Sequence, residues 1–147
     1  MGHKFIIPIA ATASLLLSPV VSEAQTCRVA CGVNTRGQRT YKEVYEYDYV
    51  SVKPEFPGGE TNLICFINKT RHYPREAYRK GIQGRVTCSF VVNPDGTVTN
   101  VQVLKGVEAT LNAEAVRIFT KMPVWIPGEI DGRPVPVRVI YPIPFRK

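Results

Sequence analysis

Residues 85–104 constrain the fold of this chain more than any other stretch. From Arg85 to Val92 the side chains alternate, so that Val86, Cys88, Phe90 and Val92 fall on one face. A period of two is the signature of a strand with one buried side. Asn93-Pro94-Asp95-Gly96 follows. Proline presets φ there and glycine takes the left-handed position, which makes a tight turn. Thr97 to Leu104 is the return strand. Its apolar residues change phase between Val98 and Val101, and a bulge near Thr99-Asn100 reconciles the two halves.

The rest of the chain must supply a cover for this hairpin. Pro54-Glu55-Phe56-Pro57-Gly58-Gly59 is punctuation, and after it Leu63, Ile64, Phe66 and Ile67 cluster as on a helix from Glu60 to Lys69. Tyr73-Pro74 interrupts, because a residue before proline avoids helical dihedrals. Arg75 to Lys80 makes a short helical turn ended by Gly81. Leu111 to Met122 carries Leu111, Ala115, Ile118 or Phe119, and Met122 at helical spacing. Thr110 or Asn112 is the expected cap and Pro123 the stop. Trp125-Ile126-Pro127-Gly128 is a rigid connector and Asp131-Gly132 a turn. In the final segment Val135, Val137, Val139, Tyr141, Ile143 and Phe145 share one face. The order strand, helix, strand needs one common core. The expected class is α+β in two layers: an antiparallel hairpin, a helix and a final edge strand, preceded by a short helix.

The N-terminal part reads differently. Lys4 precedes an apolar run from Phe5 to Val21, and Ser22-Glu23-Ala24 offers small residues for a signal peptidase. Cleavage after Ala24 is expected, leaving Gln25 first. Pro8 and Pro19 break the run below the ~20 residues of a spanning helix. The other reading is an uncleaved inner-membrane anchor. Ala24-Gln25-Thr26 before Cys27 is not a lipobox. Residues 25–42 are polar without an apolar period and read as a loose leader. Tyr45, Tyr47 and Tyr49 alternate with Glu46 and Asp48, which suggests a strand from Glu43 to Val52 with the tyrosines as a packing face. The expected division is a signal peptide at 1–24, a leader at 25–52 and one domain at 53–147.

Export to the periplasm sets how the cysteines and charges are read. Cys27, Cys31, Cys65 and Cys88 are even in number, which suggests two disulfides with three pairings. A local Cys27–Cys31 bond and a Cys65–Cys88 bond across the core are one such set. Alternatively Cys65 and Cys88 are small buried hydrophobes. Uneven spacing and a single histidine outside the signal argue against a zinc site. Removing residues 1–24 takes away Lys4 and Glu23, one charge of each sign, and leaves the net charge at +7. Outside the cytoplasm that excess does not point to nucleic acid. It fits a solvated face or attraction to anionic envelope components. Lys69, Arg71, Arg75, Arg79, Lys80 and Arg85 are its densest group.

Several pieces, in order, resemble the TonB C-terminal domain family. They are Pro54 to Gly59, Tyr73-Pro74-Arg75-Glu76-Ala77, Gly81-Ile82-Gln83-Gly84-Arg85-Val86, and Phe90-Val91-Val92 before Asp95-Gly96. Val101 to Gly106, Leu111 with Glu114-Ala115, Met122-Pro123 with Trp125 and Pro127-Gly128, and Tyr141-Pro142-Ile143-Pro144-Phe145 continue the match to the end. The resemblance implies a hairpin, a helix and a last strand beside the first hairpin strand. It implies a domain that grips a short peptide segment of an outer-membrane receptor by adding it as a strand, and transport driven by inner-membrane proton-motive force. The family's force transducers carry an uncleaved membrane helix and a long proline-rich spacer. Here a cleaved signal and about 25 residues are expected before the domain, an arrangement that could bind a partner but not pull on it.

Strand addition needs an edge with unpaired N–H and C=O groups. Along a regular strand, residues of one parity present these groups to the same edge. Pro134, Pro136, Pro142 and Pro144 are all even, so the edge lacking donors should be the unpaired one. Arg138 and Ile140 alone keep donors there. The expected partner-binding window is Val137, Arg138, Val139, Ile140 and Tyr141. The opposing reading is that the prolines block unwanted pairing.

No catalytic constellation stands out. His72 lies beside Tyr73-Pro74, Cys65 and Cys88 fall on a helix pattern and a core face, and Gly58-Gly59 lacks a phosphate motif around it. The expectation is a non-enzymatic module with no cofactor or metal. Its partner would be an outer-membrane receptor or other envelope protein segment. The alternatives are an anionic cell-wall component held by a structural or sequestering protein with a blocked edge, and a second copy paired through that edge.

Overall fold

The computed structural model describes residues 26–147. The expected signal segment lies outside the described residues. Strand β1 (Thr26–Val33) and β2 (Arg39–Glu46) are followed by helix α1 (Glu60–Thr70) and the single turn α2 (Arg75–Arg79). Then come β3 (Gly84–Val92), β4 (Val98–Lys105), α3 (Ala109–Thr120), the short β5 (Gly128–Ile130) and β6 (Arg133–Val135), and β7 (Val137–Phe145). The main sheet has the order β1-β2-β7-β3-β4, and β5 pairs with β6. Among the described residues no helix is long and apolar enough to cross a membrane.

The hairpin β3–β4 forms as the alternation requires. Val86, Cys88, Phe90 and Val92 are wholly buried. Its register slips between Ser89 and Val91, opposite Gln102 and Thr99, and Asn100 there has φ 55°. That is the bulge the phase change called for. Asn93 ties the turn together, its amide donating to Thr97 O at 3.0 Å and Thr99 Oγ1 at 2.9 Å. Gly96 has φ +87°, and a Cβ on it would stand 2.1 Å from the carbonyl oxygen of Trp125. The backbone N–H of Trp125 donates to Gly96 O at 2.8 Å, so hairpin turn and connector touch main chain to main chain. Gly96→Ala is expected to cost about 2 kcal/mol, through left-handed strain and displacement of the connector. A urea titration reads it; an unchanged midpoint would refute this account.

β7 runs antiparallel to β3 over its full length, from Val92 opposite Val137 to Gly84 opposite Phe145. Helices cover one face. α1 buries Leu63 and Ile67, one turn apart. Glu60 in its first turn and Lys69 in its last complement the helix dipole. α3 buries Leu111, Ala115, Ile118 and Phe119 against Phe90, Ile143 and Phe145. Its cap differs from the expected Thr110 or Asn112. Glu108 is the capping residue and accepts from the Thr110 N–H at 3.0 Å, while Asn112 accepts from Val107 N–H at 3.0 Å. The apolar period begins at Leu111, but the backbone turns helical two residues earlier, where a carboxylate meets the free N–H groups.

Two further expectations are corrected. Residues 26–46 are an antiparallel hairpin, not a loose leader, and β2 ends at Glu46 instead of running to Val52. Asn34 makes the turn: its Oδ1 accepts from Arg36 N–H at 3.0 Å and Gln38 N–H at 2.9 Å, and Gly37 has φ 78°. After Glu46 the chain turns, with Tyr49 N–H donating to Glu46 O at 3.1 Å, and Tyr47 and Tyr49 are exposed. The disulfide expectation also changes: Cys27, Cys65 and Cys88 are free thiols. Cys65 is two positions from the buried Leu63, about 200° around the helix, and faces water, whereas Cys88 is wholly buried. Burial pushes the Cys88 thiol up to about 11. The Cys31 side chain lies outside the described residues.

Candidate functional site

The last strand shows which of its edges is which. The N–H of Tyr45 in β2 donates to Pro136 O at 2.9 Å, so even-numbered groups turn away from β3 and toward β2. This places Pro136, Pro142 and Pro144 on the side away from β3, where their missing donors cost no bonds to it; Pro134, expected in the same strand, instead lies in β6 opposite Glu129. β2 reaches only the start of β7, pairing Tyr45 with Val137 and Glu46 with Arg138 in parallel. Beyond that, among the described residues, no strand pairs with this side of β7. The edge is therefore open from Val139 onward.

The five residues of the expected window divide accordingly. Val137 is wholly buried and lies beside Tyr45. Arg138 pairs with Glu46, its Nε 3.5 Å from the carboxylate. Cys27 lies against this pair; burial first, then a hydrogen bond with Glu46, pushes its thiol up to about 11. A thiol with so little thiolate at neutral pH is a poor nucleophile. Val139 is buried in the core, while Ile140 is 48% exposed and presents its N–H and C=O to the open side. Tyr141 is half-buried beside it. Farther along, Pro144 O is taken by Arg71, which donates from Nη1 at 2.7 Å. The open stretch thus runs from Ile140 to Pro142, bounded by β2 at one end and Arg71 at the other.

A groove accompanies this stretch on the helix side, in two bays that share Tyr141. The first, about 530 Å³, has an aromatic wall of Tyr47, Phe56, Trp125 and Tyr141 and includes Ile140. Asp48, Glu55 and Glu60 stand at the same bay. The chain folds this way because bridges Val52–Glu129 and Glu55–Ile126 pin the segment after β2 to the connector. Phe56 is thereby pressed edge-on to Trp125 at 5.6 Å. The Tyr141 hydroxyl is held above its usual range by burial, then by the Glu60 charge. The second bay, about 320 Å³, is bounded by Ile64, Ile67 and Asn68 of α1 with Arg85, Pro142 and Pro144.

The basic group gathers at the far end, where Arg85 pairs with Pro144. Lys69 and Arg71 close α1, and Arg75, Arg79 and Lys80 lie on and after α2. Among the described residues no group of three or more His, Cys, Asp or Glu could hold a metal ion. Sequence reasoning singled out this side of β7 as the candidate edge from proline parity. It missed β2 on the first two residues and it missed the first bay, whose walls come from four separate segments.

Comparison with known proteins adds three observations. The family profile described as Gram-negative bacterial TonB protein C-terminal matches residues 69–146, just over half of the chain. Two curated relatives, both Protein TonB, come from Helicobacter pylori strains J99 and 26695. Each is 44% identical over 39 residues, which is 26% of this chain but only 14% of the relative's length. Two solution structures of the Helicobacter pylori TonB C-terminal domain are also similar. One is 27% identical, covering 58% of this chain and 89% of that one at TM-score 0.45. The other is 28% identical, covering 62% and 86% at TM-score 0.46.

Proposed function

The chain belongs to the Gram-negative bacterial TonB C-terminal family, and from that membership we propose that it is a periplasmic, non-enzymatic binding module that recognises a peptide segment of a TonB-dependent outer-membrane receptor or other envelope protein by β-strand addition, in the context of transport across the outer membrane. The supporting observation is the short run of unpaired main chain at Ile140–Pro142 beside a groove with aromatic and aliphatic walls. An added strand gains affinity from main-chain bonds and specificity from pockets for alternate side chains. β2 already lies against this edge in parallel, so the edge accepts a strand in that direction.

The test is Ile140→Pro. Ile140 is half exposed, so the substitution removes one edge donor and leaves the core packing in place. Affinity for a peptide carrying the receptor segment should fall about tenfold, the value of one charge-free ladder bond plus its stranded partner. Unchanged affinity in a variant with the native circular dichroism spectrum would sink this reading. Crosslinked pull-down from an intact envelope identifies the partner.

A second reading draws on the basic end and on Arg71 capping Pro144 O: a sequestering protein whose shortened edge is closed and whose cationic end binds anionic wall polymer. Salt-sensitive capture of cell-wall material, with no peptide partner, would favour it.

A further inference from the structure

The first bay is acidic on a protein that is otherwise basic. The chain carries 19 Lys and Arg against 12 Asp and Glu. Yet three carboxylates, Asp48, Glu55 and Glu60, line this bay, and among the described residues no Lys or Arg does. The same bay holds four aromatic rings. Aromatic faces and nearby carboxylates together form a site for an organic cation, because the ring quadrupole and the ionic charge both attract it. The carboxylates are too dispersed to converge on one metal ion. One ring of the wall already has a cation over it: Lys53 Nζ lies 5.3 Å from the Tyr47 centroid, held there by the carbonyls of Tyr47 and Val50, each at 2.8 Å. The Trp125 ring belongs to the same wall, with its polar edge turned into the protein. Trp125 is only 5% exposed, and its indole Nε1–H has no hydrogen-bond acceptor among the described residues. A buried donor without an acceptor is costly and uncommon in a folded protein.

We propose that this bay seats a lysine or arginine side chain of the strand that docks along Ile140–Pro142, and so selects partners with a basic residue at that level. The proposal deepens the strand-addition reading and rests on it. Side chains of an added strand alternate in step with those of β7. The residue falling on the same face as Val139 and Tyr141 enters the bay, and its stem lies along Leu63 and Tyr141. Its head reaches the carboxylates. A metal ion or an acidic segment finds neither geometry nor charge there.

Trp125 is the sole tryptophan of the chain, so its fluorescence reports the bay. The probes are two acetylated, amidated peptides, Thr-Val-Lys-Val-Thr and the same peptide with norleucine for lysine, titrated into the full chain. The lysine peptide should bind about tenfold more tightly, the combined value of a partly desolvated cation–π contact and ion pairing. Glu55→Gln with Glu60→Gln, both at exposed positions, should reduce that ratio to about one in a variant that keeps the native circular dichroism spectrum, although loss of the Glu60 charge lowers the unfolding midpoint slightly. Equal affinities of the two peptides for the wild-type chain would overturn the proposal while strand addition stands. Binding of neither peptide would overturn both. A lysine preference that survives Ile140→Pro at full strength would support the cation site and overturn strand addition.

Discussion

Replacing Phe90 by alanine is expected to lower the free energy of unfolding by about 3–5 kcal/mol, the usual cost of removing a buried phenylalanine ring. Phe90 is wholly buried near the C-terminal end of β3. Its ring lies 4.9 Å from that of Phe119 on α3 and 5.4 Å from that of Trp125 on the connector. It therefore joins the sheet, α3 and the segment that carries the candidate bay. A domain of this size has about 5–15 kcal/mol in all, so the loss approaches the whole. Urea unfolding followed by Trp125 fluorescence measures it, since the reporter touches the deleted ring. Phe90→Leu, which leaves a smaller void, should cost less than half as much. If both variants unfolded at the wild-type midpoint, the shared core of β3, α3 and connector would be misplaced.

The same residue shows what the sequence made legible. Phe90 belongs to an alternation of four apolar residues closed by Asn-Pro-Asp-Gly, and both signals are local. The antiparallel hairpin, the helix after it and the one-sided burial of Val137, Val139, Ile143 and Phe145 could therefore be read from spacing. The proline parity of β7 was legible for the same reason, because every missing donor had to lie on one edge. The hairpin at 26–46 was not legible. Its β2 strand buries only Val44 fully, so there is no strong apolar period to find. It is held by distant partners: Lys42 donates to Asn93, and Asn100 donates to the carbonyl of Ala30. The candidate site was half legible for a related reason. A strand edge is a property of one segment, but the bay beside it needs Tyr47, Phe56, Trp125 and Tyr141 at once. Cysteine count failed similarly, since number and spacing say nothing of which helix face Cys65 occupies.

Glu114 carries the second large expectation. It is 9% exposed on α3 and is the acceptor for three donors. The backbone N–H of His72 donates to it at 2.7 Å, and Arg117 donates from Nε at 2.8 Å and Nη2 at 2.6 Å. Arg117 also reaches back to Thr70 O at 2.5 Å. One carboxylate therefore locks the end of α1 and the loop before α2 onto α3. Burial pushes its carboxyl up, but the Arg117 hydrogen bonds, the His72 N–H and the guanidinium charge outweigh that, and the group is held below its ordinary range. Removing one partner of a buried pair costs about 3–5 kcal/mol, and less where one side is wet. The Arg117 side chain keeps 31% of its surface exposed, so Glu114→Gln should cost about 2–3 kcal/mol at neutral pH. A carboxyl depressed in the folded state stabilises above its unfolded value and loses that contribution as pH falls through the folded value. The gap between wild type and Glu114→Gln should therefore be full above about pH 5, shrink below the unfolded value of about 4.3, and vanish under the folded one. Urea midpoints of both proteins between pH 7 and pH 3 test it. A gap that stayed constant over that range would mean that the cost of Glu114→Gln does not come from the carboxylate charge; a gap near zero throughout would mean that a neutral amide holds His72 and Arg117 equally well.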